Sequence, residues 1–134
     1  MKNQRYVLDS FALLAYLQNE KPAVRIDELL VQAAGGDTAL YVSLINLGEI
    51  AYLVERRHGA SQCEKVLERV LQFPIAMEEA TLERIQAAAH VKASFAISYA
   101  DAFAVALGQE LEAEIVTGDP EFKHVESIVQ VLWL

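Results

Sequence analysis

The sequence predicts an α/β fold, a central and mainly parallel sheet with helices on both faces. Three observations predict it: short apolar runs, longer stretches of helical periodicity between them, and acidic residues just past two of the runs. The first run is Tyr6-Val7-Leu8, followed by helical periodicity over approximately Ser10 to Asn19 and Pro22 to Ala34. Ala39-Leu40-Tyr41-Val42 comes next, ahead of helices over Leu44 to Arg57 and Ser61 to Gln72. Ile75-Ala76-Met77 leads into helical segments from Glu79 to Lys92 and from Tyr99 to Glu112, and Glu114-Ile115-Val116 and Ile128-Val129-Gln130-Val131 complete the set. Runs this short and apolar read as buried strands, and their alternation with helices favours right-handed crossovers between parallel neighbours. Ligands of such sheets gather beyond the carboxyl ends of the strands. Asp9 follows the first run there, and Asp119 follows Ile115-Val116-Thr117-Gly118.

The 134 residues suffice for one domain, and no repeat, low-complexity tract or Pro/Gly/Ser-rich linker divides them, so a single domain over 1–134 is expected. The chain has no continuous apolar run long enough to span a bilayer, and Met1-Lys2-Asn3-Gln4-Arg5 lacks the apolar centre of a signal peptide. The expected location is the cytoplasm, away from membranes. The single cysteine, Cys63, has no internal disulfide partner and reads as a reduced thiol. A net charge of -8 argues against a strong unaided grip on nucleic acid. Acids gathered in one pocket nevertheless recruit divalent cations, which in turn meet phosphate.

The most informative feature is that three acids stand alone in long uncharged surroundings. Asp9 is the only charged residue from Tyr6 to Asn19, Glu49 from Thr38 to Val54, and Asp101 from Ala93 to Gln109. Segments so apolar are largely buried, and an unpaired carboxylate among them costs several kcal/mol or stays protonated. Helix capping accounts singly for Asp9 and for Asp101, which falls in the first turn of its helix. Glu49 escapes that account: its neighbours three and four positions away are Ile45, Asn46, Tyr52 and Leu53, none of them basic.

A divalent cation compensates all of these acids if they converge with Asp119, and an oxygen-only set suits Mg²⁺ or Mn²⁺ rather than zinc. His58, His90 and His124 have no His or Cys at ligand spacing and read as surface or structural residues. Asn46, one turn before Glu49, and Ser98, three residues before Asp101, place neutral polar groups beside the candidate ligands. Ser98 equally suits a helix N-cap and Asn46 a local backbone contact, while Ser10 and Thr117 flank acids at strand ends, where they orient water or phosphate.

Four stretches resemble the PIN-domain nucleases, and among them the VapC-type toxins of toxin-antitoxin pairs. They are Tyr6-Val7-Leu8-Asp9-Ser10, Val42-Ser43-Leu44-Ile45-Asn46-Leu47-Gly48-Glu49-Ile50, Ser98-Tyr99-Ala100-Asp101-Ala102-Phe103-Ala104-Val105-Ala106 and Ile115-Val116-Thr117-Gly118-Asp119-Pro120-Glu121-Phe122. By this resemblance Asp9, Glu49, Asp101 and Asp119 take the family's acidic positions and Thr117 that of the threonine before its last aspartate. Asn46 stands where the family commonly has a small hydroxyl residue. The resemblance implies a PIN-like three-layer sandwich, homodimerisation, and Mg²⁺- or Mn²⁺-dependent hydrolysis of RNA restrained by a VapB-type antitoxin. Direct DNA binding is not expected. The chemistry then has Asp9, Glu49 and Asp101 around a main ion, with Asp119 on a second ion or orienting water.

Other classes fit less well. A haloacid-dehalogenase-type phosphatase needs a second aspartate two residues after Asp9, where Phe11 stands. A receiver domain needs an acidic pair near the first strand and a lysine near the last, whereas Leu8 precedes Asp9 and no lysine follows Lys123. Neither a Walker A loop nor a G-x-G-x-x-G is present. A noncatalytic PIN-fold module binding RNA or protein is the alternative from another class.

Overall fold

A computed structural model describes residues 4–134. The first three positions of Met1-Lys2-Asn3-Gln4-Arg5, and so that part of the signal-peptide reading, lie outside the described residues. The elements run β1 (Gln4–Leu8), α1 (Ser10–Leu17), α2 (Ala23–Ala34), β2 (Thr38–Ser43), α3 (Leu44–His58), α4 (Ala60–Val70), β3 (Ala76–Glu78), α5 (Leu82–Ser94), α6 (Tyr99–Leu111), β4 (Glu114–Thr117), a 3-10 segment (Pro120–Val125) and β5 (Val131–Trp133).

The strands form one five-stranded sheet in the order β3-β2-β1-β4-β5 with every neighbouring pair parallel. Starting from β1, the chain builds outward through β2 to β3, then returns to lay β4 on the other side of β1. The reversal puts the topological switch point at the carboxyl ends of β1 and β4, the position at which parallel sheets bind ligands.

Alternation along the central strands sends successive side chains to opposite faces. Val7 and Ile115 face a core completed by Phe103, Val105 and Phe122, while Leu8 and Val116 face the other, with Leu13, Ile26, Leu29 and Ile50. Both faces are therefore covered by helices, which explains why these strands read as continuous apolar runs. Helix α6 approaches β4 closely because position 108 is glycine: a Cβ there would stand 2.5 Å from Ile115 Cδ1 and 3.2 Å from the Ala113 carbonyl.

One element departs from the sequence reading. The last strand begins at Val131, so Ile128, Val129 and Gln130 precede it. Val129 packs instead toward Gly108, and the Ile128 and Val129 amides bond back to the Val125 carbonyl in a tight turn. The run is thus only partly a strand: Ile128 and Val129 are half-buried beside α6, while the Gln130 carbonyl accepts the Ile115 amide at 2.9 Å and Val131 pairs with β4.

Candidate metal centre

Asp9, Asp101 and Asp119 each stand at the end of a different element. Asp9 follows β1 and caps α1: its Oδ1 accepts the Ala12 amide at 2.8 Å. The capping account of this residue is therefore correct, and it uses only one carboxylate oxygen. The other accepts the Thr117 hydroxyl from the end of β4, and Thr117 Oγ1 itself accepts the Asp119 amide at 3.0 Å. One threonine thus ties the first acid to the last. Asp101 lies in the first turn of α6, where Ser98 is the N-cap and its Oγ accepts the Asp101 amide at 3.1 Å. Asp119 begins the 3-10 segment, its Oδ1 accepting the Glu121 amide at 3.0 Å.

The structure brings Asp101, Asp119 and Glu121 together, with one carboxylate oxygen from each lying within 4.8 Å of the others. They grade from buried Asp101 through half-buried Asp119 to exposed Glu121, so the cluster opens from the core toward solvent. Asp9, only 1 % exposed, lies behind them. Glu49 projects from the second turn of α3 outside this tight group but near enough for its charge to act on Asp9. Among the described residues no Lys, Arg or His forms an ion pair with any of the five.

Electrostatics record the crowding. Burial pushes the Asp9 carboxyl up to about 7, against the opposing hydrogen bonds from Thr117 and Ala12 and with help from the Asp119 and Glu49 charges. Burial likewise raises Asp101 to about 8; Ser98 opposes this, and the Asp9 charge, the adjoining Glu121 carboxyl and the Asp119 charge add to it. Burial and the neighbouring acids thus favour the protonated form of both groups, the opposite of an acid that has a basic partner.

The polar neighbours knit the site. Ser10 Oγ donates to the Asn46 carbonyl at 3.2 Å, and Asn46 Nδ2 donates to the Ala100 carbonyl at 3.1 Å, so Asn46 links α3 to the residues beside Asp9 and Asp101. Its contact is long-range, not the local backbone bond that its place near a helix start also allowed. Asn46 Oδ1 is buried and has no partner among the described residues. An acceptor left so inside a polar crevice fits a donor carried by a bound group, such as the water of a hydrated cation. Together with an all-oxygen, unpaired acid set, it fits a hard divalent cation.

Glu121 is the site residue that the sequence reading left unassigned. It stands in an exposed, charged turn, where an acid needs no explanation. The usable signal was its spacing in Asp119-Pro120-Glu121, which a 3-10 turn folds back onto Asp101.

Comparison with known proteins agrees with this architecture. In solved structures the chain is similar to VapBC2 from Rickettsia felis bound to a promoter DNA fragment, with 16% identity, TM-score 0.74, and coverage of 95% of this chain and 97% of that one. It is also similar to DNA-bound VapBC from Salmonella typhimurium, with 12% identity, TM-score 0.75, and coverage of 96% and 97%. VapC20 of Mycobacterium tuberculosis, described as a sarcin-ricin loop cleaving toxin, gives 17% identity, TM-score 0.69, and coverage of 91% and 95%. At such identities the likeness is one of fold. Comparison with curated protein sequences gave no match. The PIN domain family model matches residues 6–128, which spans all five acids, and the chain belongs to the PIN domain family.

Proposed function

We propose that this protein is a Mg²⁺- or Mn²⁺-dependent endoribonuclease acting as the toxin of a VapBC-type pair in the cytoplasm. The observation that carries the reading is the convergence of Asp101, Asp119 and Glu121 in front of Asp9, without a basic partner among the described residues, in a PIN domain. Asp101, Asp119 and Glu121 would hold the main ion, with Asp9 and Glu49 adding negative charge beside it and serving a second ion or orienting water. When bound, a divalent cation acidifies water and neutralises charge on the phosphodiester. The chain supplies the frame: Thr117 fixes the Asp9 carboxylate, Ser98 starts the helix that presents Asp101, and Asn46 locks α3 against both. The Ser10 and Thr117 hydroxyls donate to the Asn46 carbonyl and to Asp9 and so brace the site; with water as the nucleophile no protein nucleophile is required.

The partner belongs to the same proposal. A cleft of about 430 Å³ lined by Leu14, Leu17, Val54 and Val66 beside Arg57 suits the apolar residues of an antitoxin segment, whose arginine would pair with the free carboxylates. Exposed Val24 and Val31 on one face of α2 support self-association as a homodimer.

The test is cleavage of RNA by the purified chain with Mn²⁺ or Mg²⁺, against EDTA. Metal-dependent cleavage is the expected result; intact RNA under every metal condition overturns it in favour of a noncatalytic binding module. Co-expression with the adjacent small protein tests the toxin assignment, and light scattering tests the dimer.

A further inference from the structure

We propose that Phe11 is a base-stacking platform, holding one unpaired nucleobase of the RNA beside the scissile phosphate; this rests on the ribonuclease reading above. Phe11 lies two residues after Asp9 in the turn that Asp9 caps, so its backbone is fixed relative to that carboxylate. Its ring lies against Gly118, the residue between Thr117 and Asp119. A Cβ at Gly118 would meet ring carbons Cε1 at 2.4 Å and Cζ at 2.8 Å, so only glycine lets the ring settle there. Phe11 as a residue is nonetheless 38 % exposed, whereas Ala12 and Leu13 in the same turn are fully buried.

Charge explains what an aromatic contributes at this place. The chain carries a net charge of -8, and among the described residues no cation pairs with the five acids, so phosphate neutralisation by the protein gives little grip here. Stacking needs no charge and accepts any base that is not already paired. The substrate class is accordingly single-stranded RNA or the loop of a folded RNA.

Tyr99 is the built-in control. It is as near in sequence to Asp101 as Phe11 is to Asp9, and 47 % exposed, but its ring packs edge-on against Phe103 with centroids 5.1 Å apart.

The experiment measures Mn²⁺-dependent cleavage of a short single-stranded oligoribonucleotide, and of copies with one abasic position each, by wild type, Phe11→Leu, Phe11→Trp and Tyr99→Leu. Phe11→Leu should raise KM about 5- to 100-fold, the worth of one aromatic–base stack, with kcat changed far less. Phe11→Trp should restore or lower KM, and Tyr99→Leu should leave it unchanged. One abasic position should raise the wild-type KM and erase the difference between wild type and Phe11→Leu. Should Phe11→Leu melt too early to assay, the wild-type abasic scan and Phe11→Trp carry the same test. Equal KM for wild type and Phe11→Leu on every oligonucleotide overturns the platform alone, as does a penalty indifferent to abasic position. If Phe11→Leu instead keeps its RNA kinetics but loses self-association or antitoxin binding, the ring faces protein and the proposal is wrong. No cleavage by wild type removes the ribonuclease reading and this proposal with it.

Discussion

Around Arg84 one guanidinium holds two carboxylates: Nη1 is 3.0 Å from Glu78, and Nη2 and Nε are 2.9 and 3.0 Å from the two oxygens of Glu110. At the carboxyl edge of β1 and β4 a larger group of acids has no cation among the described residues. The same side-chain chemistry is driven in opposite directions. Hydrogen bonding to Arg84 holds Glu110 below the usual carboxylate range, while burial pushes Asp9 and Asp101 up to about 7 and about 8. The first group has its counter-charge within the chain; the second has none among the described residues, and burial with mutual repulsion favours the protonated form of its buried acids. An acid cluster points to function when its compensating charge is missing, not when its acids are numerous.

Replacing Asp101 by Asn breaks the comparison most severely. RNA cleavage with Mn²⁺ should fall by about 10³-fold, because an anionic ligand is lost from a charge-stabilising site. Stability in EDTA should stay level or rise, since the buried, repelled carboxyl is gone. Two carboxylates about 4 Å apart at an effective dielectric of about 20 repel by roughly 4 kcal/mol, part of it already relieved by protonation. Paired cleavage assays and EDTA melts read both halves. A variant that loses activity only because it melts markedly earlier would make Asp101 a structural cap.

That experiment also separates what the sequence made legible from what it did not. Asp9, Glu49 and Asp101 were visible because each is solitary in an apolar segment; the structure buries Asp9 and Asp101 as expected but leaves Glu49 only half-buried, because the turn of α3 that carries it is partly open to solvent. Glu121 was not, because burial does not select it: it is exposed and reaches the cluster only through the 3-10 turn after Asp119. The parallel sheet was legible from apolar runs, since burial on both faces erases the polar alternation of half-exposed strands. Ile128 and Val129 were misplaced for the same reason, an apolar run being unable to say whether it packs within a sheet or beside α6. The Arg84 clasp was invisible because its two glutamates lie on different elements, and Glu110 is twenty-six residues away in sequence.

The pH dependence sharpens the contrast. Asp9 and Asp101 have folded-state values above their ordinary 3.8, so between those limits the folded chain binds more protons than the unfolded one. Their contribution to stability is full below about pH 4 and is lost as pH rises through about 7 and about 8. In EDTA the Tm should therefore drift down between pH 5 and pH 8.5, with a limiting slope of ~1.4 kcal/mol per pH unit for each group. Saturating Mn²⁺ should cancel the drift by displacing both protons, adding about 2.7 kcal/mol at a hundred times its Kd. Asp101→Asn should halve the drift. A rising Tm over this interval in EDTA, or a drift that Mn²⁺ leaves untouched, would show that the acids are already neutralised by something other than protons.

Arg84→Met should have the smallest effect and test the opposite pole. Methionine keeps the apolar stem that packs near Phe103 and Leu107 but removes the guanidinium, leaving Glu78 and Glu110 without their shared cation. The side chains of Arg84 and Glu78 are 21% and 22% exposed and that of Glu110 is 45% exposed, so water screens much of the loss. The expected cost is about 1–2 kcal/mol, a fall in Tm of roughly 3–10 °C. Metal-dependent cleavage should remain within about twofold of wild type, because Arg84 ties α5 to α6 and β3 while the acid cluster hangs on β1, β4 and the first turn of α6. A melt indistinguishable from wild type would show the clasp to be ornamental to the fold. A large fall in kcat with an unchanged melt would be more damaging, for it would mean that the paired acids and the unpaired ones form one electrostatic system and that their contrast is not a division of labour.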